Sequence, residues 1–366
     1  MPDATGSAAG QGDDAAMARV LEEISACIRE AVAAGSPLQL VGGGTKSFLN
    51  KGPGAPVLSL AGYRGVISYQ PSELVIEVRA GTPLVDIENL LAEHGQMLAF
   101  EPPRLGPAST IGGVVSAGLS GPARPYAGAV RDHVLGVGLL DAAGSVLRFG
   151  GRVMKNVAGY DVSRLVAGAW GTLGPLVEIA VRVMPRPART ISVAWAADAA
   201  FALARMNELA RHTWPLAGAC FDGSRLHLRL AGTRAAVDAA VDALRPESTE
   251  DGLEFWDALR DFRLPFFGGE RPLWRLAVPP AAGLAALPGD SLVDWGGAQR
   301  WLKTEASPAD IQAAARRAGG YAQPFFAADA AQFAPLSATQ AVLQARIRAA
   351  FGPAGLFNPG CARVGF

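Results

Sequence analysis

Three stretches of this 366-residue chain combine glycine with hydroxyl, amine or carboxylate side chains. The first is Gly42-Gly43-Gly44 followed by Thr45, Lys46 and Ser47. The second is Ser109-Thr110-Ile111-Gly112-Gly113, with Gly118 a turn further on. The third runs from Lys155-Asn156 through Gly159-Tyr160-Asp161 to Gly171-Thr172-Leu173-Gly174. Glycine lets a ligand approach the backbone because no Cβ intervenes, and successive amides at such a turn cradle an anion. Ser109 at the head of a short helix would direct N-terminal amides at the same charge. The third stretch sets polar groups in apolar surroundings, where each needs a partner or a polar ligand. Each stretch alone also suits a tight turn or a self-satisfied loop. Two common phosphate motifs are excluded. A Walker loop needs Gly directly before its Lys-Ser/Thr pair, whereas Thr45 precedes Lys46, and the Gly-x-Gly-x-x-Gly spacing of a dinucleotide turn fails.

These segments need elements to hold them. Met17, Val20, Leu21, Ile24, Ile28 and Val32 recur at helical spacing and end at Gly35. Leu38 and Leu40 alternate in a short strand that delivers Gly42. Val66–Tyr69 and Leu74–Arg79 read as strands turned by Pro71-Ser72. Thr82-Pro83 reads as a cap and first turn for a helix ending at Gly95. Residues 101–128 form a long Gly/Pro/Ser-rich loop, a length that suits function. Strands resume at Val134–Asp141, Ser145–Phe149 and Leu176–Met184, and Pro185-Arg186-Pro187 marks a boundary. Beyond it, Leu273–Val278, Leu284–Leu287, Leu292–Trp295, Gln299–Lys303, Pro308–Ala318 and Tyr321–Phe326 read as β-α-β-β-α-β, a ferredoxin-like half. A related half over 191–244 is less sharply written. A last helix, about Ala338–Phe351, leads to Gly355-Leu356-Phe357-Asn358-Pro359-Gly360.

Composition removes several functions. Half of the residues are hydrophobic and 18% are charged, with Lys+Arg equal to Asp+Glu, so no basic block asks for nucleic acid. Cys27, Cys220 and Cys361 are far apart, which leaves neither an iron–sulfur cluster nor a metal site to expect. Residues 1–16 read as a disordered tail without the basic and apolar regions of a signal peptide. No apolar run has a membrane helix's length.

Taken together, the three segments resemble the FAD-binding domain of the vanillyl-alcohol-oxidase-like (PCMH-type) FAD-linked oxidase family. The segments PYAGAVRDHVLGV (125–137), FGGRVMKNVAGYDVSRLVAGAWGTLG (149–174) and GLFNPG (355–360) carry the similarity further, to the subunit-E group of bacterial glycolate oxidases (glycolate dehydrogenases). That resemblance implies an α+β fold: a two-subdomain FAD-binding domain over 17–187, a short ferredoxin-like cap over 188–335, and a segment, 336–366, returning to the flavin. By position it places Gly42, Gly43, Gly44, Thr45 and Lys46 on the pyrophosphate. Ser109, Thr110, Gly112, Gly113 and Gly118 would flank the dinucleotide. Gly159, Tyr160 and Asp161 would lie on the flavin side, Ile179 near the adenine, and Asn358 on the opposite face of the ring. Relatives that attach flavin covalently use a His beside the first glycine loop. Thr45 and Lys46 stand there instead, which implies non-covalent FAD.

The resemblance also defines what is missing. Substrate-oxidising relatives carry a His-rich cap motif, whereas His94, His133, His212 and His227 are scattered here. His133 and His227 lack recognisable partners and read as packing residues. No general base stands out. An Arg fork would suit a carboxylate, but Arg104, Arg124, Arg131, Arg152 and Arg164 are indistinguishable in sequence. Trp170, Phe266 and Phe267 suit core packing as well as flavin cover. The expectation is a cytoplasmic FAD-binding subunit of a heteromeric glycolate dehydrogenase, converting glycolate to glyoxylate. It would act in electron relay or assembly beside a larger FAD-containing catalytic subunit and an iron–sulfur subunit, with membrane contact only through partners. Two alternatives stay open: a stand-alone FAD-dependent 2-hydroxy-acid oxidoreductase, and a non-catalytic assembly protein with a vestigial flavin site.

Overall fold

The structure, a computed structural model, describes residues 7–49, 54–151, 160–284, 287–326, 336–353 and 355–361. It opens with α1 (Ser7–Ala33), whose Ile24, Ile28 and Ala31 pack on Leu38, Leu58, Leu140, Val177 and Phe357. Ile28 is fully buried, and such a side chain contributes about 1.5–3 kcal/mol. α1 corrects the expected tail over residues 7–16. Alanine-rich sequence propagates a nucleated helix, and Asp14 on this stretch pairs with Arg79 at 2.5 Å. Residues 1–6 lie outside the described residues.

β1 (Gln39–Val41) and β2 (Val57–Ser59) pair in parallel. Next come β3 (Val66–Gln70), β4 (Val75–Arg79), β5 (Gln96–Met97), β6 (Val134–Leu140), β7 (Val146–Gly150), β8 (Leu176–Arg182) and β9 (Met184–Pro185). Five of them form an antiparallel sheet in the order β3-β4-β8-β6-β7. Beside it lie α2 (Leu84–Glu93), α3 (Ile111–Ala117), α4 (Arg124–Ala127), α5 (Val130–His133) and α6 (Val162–Val166). Leu84, Ile87 and Leu91 of α2 and Val114 and Val115 of α3 join Ile76, Val78 and Ile179 of the sheet in one core. Two expected caps move. The Thr82 hydroxyl is not the α2 cap: it donates to the Arg79 carbonyl and accepts from the Gly65 N–H. Thr110, not Ser109, caps α3, accepting from the Gly113 N–H at 3.3 Å.

After Pro187 the chain builds a second antiparallel sheet. Its strands are β10 (Arg189–Ala196), β11 (Leu216–Phe221), β12 (Arg225–Gly232), β13 (Ser248–Glu250), β14 (Leu273–Ala277), β15 (Asp290–Asp294), β16 (Gln299–Lys303) and β17 (Tyr321–Phe325). They run in the order β13-β10-β12-β11-β15-β16-β14-β17. In the first four, α7 (Ala199–Leu209) and α8 (Arg234–Leu244) make the two crossovers, capped by Asp198 and Thr233. Next comes α9 (Glu254–Arg260), and α10 (Pro308–Arg317) joins β16 to β17. The helix expected at Leu284–Leu287 is absent among the described residues between β14 and β15. Pro279, Pro280, Gly283, Pro288 and Gly289 crowd that connection and break helical hydrogen bonding. Residues 285–286 lie outside the description.

The two sheets are tied at the 101–128 loop. Glu101 pairs with Arg229 of β12 at 2.8 Å with both side chains largely buried, and Trp295 Nε1 donates to the Gly121 carbonyl at 3.0 Å. α11 (Ala338–Phe351) then carries the chain back toward β1. Leu38 N–H donates to the Leu356 carbonyl at 2.7 Å and Asn358 N–H to the Leu38 carbonyl at 2.8 Å, so Leu356–Asn358 lies alongside β1.

Candidate cofactor cleft

β1 delivers Gly42, Gly43, Gly44, Thr45 and Lys46 to one wall of a cleft, and the head of α3 brings Thr110, Gly112 and Gly113 to the other. Trp170, Gly171, Gly174 and Asn358 complete it. The approach of the loops excludes side chains. A Cβ on Gly43 would stand 1.4 Å from the Ala108 carbonyl oxygen, one on Gly42 2.3 Å from Thr110 Oγ1, and one on Gly112 2.8 Å from Ala80. Among the described residues the amides of Gly43, Gly44 and Thr45 donate to no carbonyl. This is an amide nest open to an anion.

Lys46 supplies the charge. It is 9% exposed, and its Nζ donates to Ser109 Oγ at 2.9 Å and Thr45 Oγ1 at 3.2 Å. An ammonium carries three donors, so one remains. No carboxylate pairs with Lys46 among the described residues. Burial lowers its pKa to about 8, and the field of Asp261 opposes this only in part. A buried cation short of a counter-ion beside open amides fits a phosphate or pyrophosphate group.

Asn358 closes the far end. With φ at +46°, tolerable for Asn, it accepts from the Leu40 N–H at 2.6 Å and donates from Nδ2 to the Trp170 carbonyl at 2.6 Å. It thereby ties the C-terminal return to β1 and to the 168–174 turn.

The remaining expected residues spread out. Gly118 ends α3 in the left-handed conformation and faces a second cavity. Asp161 caps α6 through the Arg164 N–H and lines that same cavity, while Tyr160 is 93% exposed. Ile179 is fully buried in β8 and lines neither space. Gly159 lies outside the described residues. Gly171 and Gly174, from the end of the third glycine-containing stretch, stand in the cleft wall, as does Ser116 of α3, which was not among the residues expected to touch the cofactor. Gly171 is required where it stands, since a Cβ there would lie 2.8 Å from Asn358 Nδ2. Of the aromatic candidates, Trp170 lines the cleft, whereas Phe266 and Phe267 pack edge-to-face beside Trp301 and Phe262.

The histidines are occupied elsewhere. His133 is fully buried with Nε2 2.9 Å from the Ala127 carbonyl. His227 sits 2.9 Å from Asp222 and stacks on Phe255. The cysteines are free, and no group of three metal-ligating side chains assembles among the described residues. Nor is any described helix long and apolar enough to cross a membrane.

Comparison with known proteins accords with this cleft. Residues 15–150 match the FAD binding domain family. The chain is 43% identical over 91% of its length, and 94% of the relative's, to the glycolate oxidase subunit GlcE of Escherichia coli. The chain belongs to the GlcE family of glycolate oxidase subunits. It is therefore a member of the FAD-dependent oxidoreductases. More distant similarity reaches the glycolate oxidase subunit GlcD of Bacillus subtilis, 31% identical over 37% of this chain and 28% of that one. A solved structure of alkyldihydroxyacetonephosphate synthase shares the fold, with a TM-score of 0.66 at 13% identity over 92% of this chain and 75% of that one.

Proposed function

We propose that this chain is an FAD-carrying subunit of a heteromeric glycolate dehydrogenase, holding its flavin non-covalently. The carrying observation is the meeting of Gly42–Lys46, the head of α3, the 168–174 turn and Asn358 at one cleft around a buried ammonium with no carboxylate partner among the described residues. The pyrophosphate would lie on the amides of Gly43, Gly44 and Thr45, with Lys46, held in place by Ser109, compensating its charge. Thr110, Gly112 and Gly113 would flank the dinucleotide, and Asn358 would approach the ring through the Trp170 turn. Bound FAD supplies two-electron transfer. The chain's own groups bind it, orient it and exclude water. Among the described residues no His stands in the cleft, which supports non-covalent attachment.

The similarity to GlcE supports a place beside a larger FAD-containing catalytic subunit that oxidises glycolate to glyoxylate, and beside an iron–sulfur subunit that takes the electrons. This chain then relays electrons or holds the assembly, in the cytoplasm, reaching any membrane through those partners. We read residues 17–187 as the FAD domain, 188–335 as a cap of two ferredoxin-like halves, the second shorn of its first helix, and 336–366 as the returning segment. Purified full-length chain should take up FAD that acid precipitation releases intact, and glycolate should bleach it only after the partner subunits are added. A chain that gains no flavin on reconstitution would remove the proposal. Bleaching by glycolate without partners would favour a stand-alone enzyme.

A further inference from the structure

α11 is fourteen residues long and buries none of them. Its start is well made: Ser337 Oγ accepts from the Gln340 N–H, and Gln340 Oε1 accepts from the Ser337 N–H at 3.0 Å. Ala, Val, Leu, Ile or Phe fill nine of its fourteen positions. Gln344, Ile347, Arg348 and Phe351, spaced three and four apart, share one stripe and are half-buried. Ile347 and Phe351 join the first core, the Phe351 ring 6.4 Å from that of Phe149. Ala338, Val342, Ala345, Arg346 and Ala349 lie on the opposite side and are exposed, Val342 at 52%, with Leu343 on the flank at 57%. A helix apolar on both sides needs cover on both, and contiguous exposed apolar surface marks the seat of a partner.

The charge of this face says what covers it. α11 holds Arg346 and Arg348 and no Lys, Asp or Glu. That is the bias of interface cores, where Arg is enriched and the other charged residues are depleted. Across the space lined by Gln344, Ile347 and Arg348, α5 and α6 add exposed Arg131, Arg164 and Leu165. The carboxylates nearby are engaged locally. Asp161 pairs with Arg164 at 3.2 Å and caps α6, and Asp132 accepts the Ala129 N–H at 2.9 Å. Arg346 stands one turn on from Val342, with no carboxylate partner among the described residues. Whatever covers Val342 also covers Arg346, and a covered guanidinium needs an anion beside it. A second copy meeting this face about a two-fold axis would set like charge against like. An acyl layer would leave Arg346 without a partner. A protein helix that carries an acidic residue among apolar ones satisfies both requirements.

We propose that the outward face of α11 seats an apolar, acid-bearing helix of a partner subunit, with Val342 and Leu343 as anchors and Arg346 paired to its carboxylate. The proposal rests on the reading of this chain as a subunit of a heteromer, and it names the face that the assembly uses. The seat is close in sequence to the cofactor cleft: from α11 the chain runs to Asn358, which holds the Trp170 turn.

The test co-expresses the tagged full-length chain with the catalytic and iron–sulfur subunits. Retained subunits, flavin content and melting temperature are then measured. The wild type should retain a partner. Val342→Asp and Arg346→Glu should each weaken retention by about tenfold or more, the effect of a central interface residue. Flavin content and melting temperature should not change, because both positions are exposed. Arg346→Gln should weaken retention less than Arg346→Glu. Phe201→Asp, at a 54% exposed apolar position on α7, should leave it intact. Wild-type retention by Val342→Asp and Arg346→Glu would overturn the proposal and spare the subunit reading, as would an equal loss in Phe201→Asp. Self-association of the wild type in gel filtration that Val342→Asp abolishes would overturn it in favour of a second copy. Binding to phosphatidylglycerol vesicles that Val342→Asp abolishes would overturn it in favour of a membrane. A wild type that retains no partner would overturn the subunit reading together with the proposal, with flavin uptake still testing the cofactor cleft.

Discussion

Replacing Lys46 with Met should strengthen the empty protein while weakening its hold on flavin. The ammonium is buried, and its pKa falls from a lysine's usual 10.5 to about 8. At about 1.4 kcal/mol per pH unit, that gap amounts to ~3 kcal/mol of penalty for burying the charge. The sign follows from linkage. Below pH 8 the folded and unfolded chains both carry the charge, so the whole penalty applies. Between about 8 and 10.5 the unfolded chain holds more protons, stability rises with pH, and the penalty disappears. Methionine removes the charge and keeps the stem, but forfeits the bond to Ser109, worth ~1 kcal/mol. Urea unfolding of flavin-free Lys46→Met should therefore show a gain of ~1–3 kcal/mol at pH 7 that shrinks as pH approaches that of free lysine. FAD affinity should fall about tenfold to a hundredfold, since a charge-assisted bond to phosphate is worth ~1.5–3 kcal/mol. In the wild type, affinity should decline as pH rises through about 8, where binding must first recruit a proton to Lys46. A variant less stable by the same amount at every pH, with unchanged flavin affinity, would refute the reasoning and make Lys46 a structural tether.

Gly43→Ala would drive a methyl to 1.4 Å from the Ala108 carbonyl oxygen, backbone that cannot rotate away. Flavin content should collapse, with ~1–3 kcal/mol lost in urea unfolding. Asn358→Asp keeps the acceptor for the Leu40 N–H but sets an oxygen against the Trp170 carbonyl. The cost should be ~2–3 kcal/mol at pH 7, with faster flavin loss on dialysis and partial recovery at acid pH. Asp294 titrates near pH 7 in the fold against 3.8 as an ordinary carboxyl. Its raised value makes stability greatest below 3.8 and loses it as pH climbs through about 7. Melting curves should therefore show Asp294→Asn gaining ~2–4 kcal/mol on the wild type between pH 5 and pH 8, and parallel pH profiles would count against this.

The residues that could touch a phosphate were legible because their chemistry is local. A glycine triplet after Leu38 and Leu40, a hydroxyl pair heading Gly112-Gly113, and a terminal Leu-Phe-Asn-Pro each carry a backbone requirement in a few letters. The sheet strands were legible for the same reason, since alternation is a two-residue property. Local signals also misled. Alanine-rich residues 7–16 read as a tail, although α1 runs through them and Asp14 finds Arg79. Leu284–Leu287 read as a helix in spite of flanking proline and glycine. Ser109 read as a cap, although the chain enters α3 one residue later and frees that hydroxyl for Lys46.

The sequence by itself determined which short segments could approach an anion and which chemistries were out of reach, because those depend on residue type and nearest neighbours. Only the tertiary structure decided that Lys46 is buried with no carboxylate paired to it among the described residues, that Asn358 reaches Trp170 from 188 positions away, and that Arg275 shares an indole with Arg124. Burial and charge pairing are properties of what the fold brings together, and no window of sequence contains both partners.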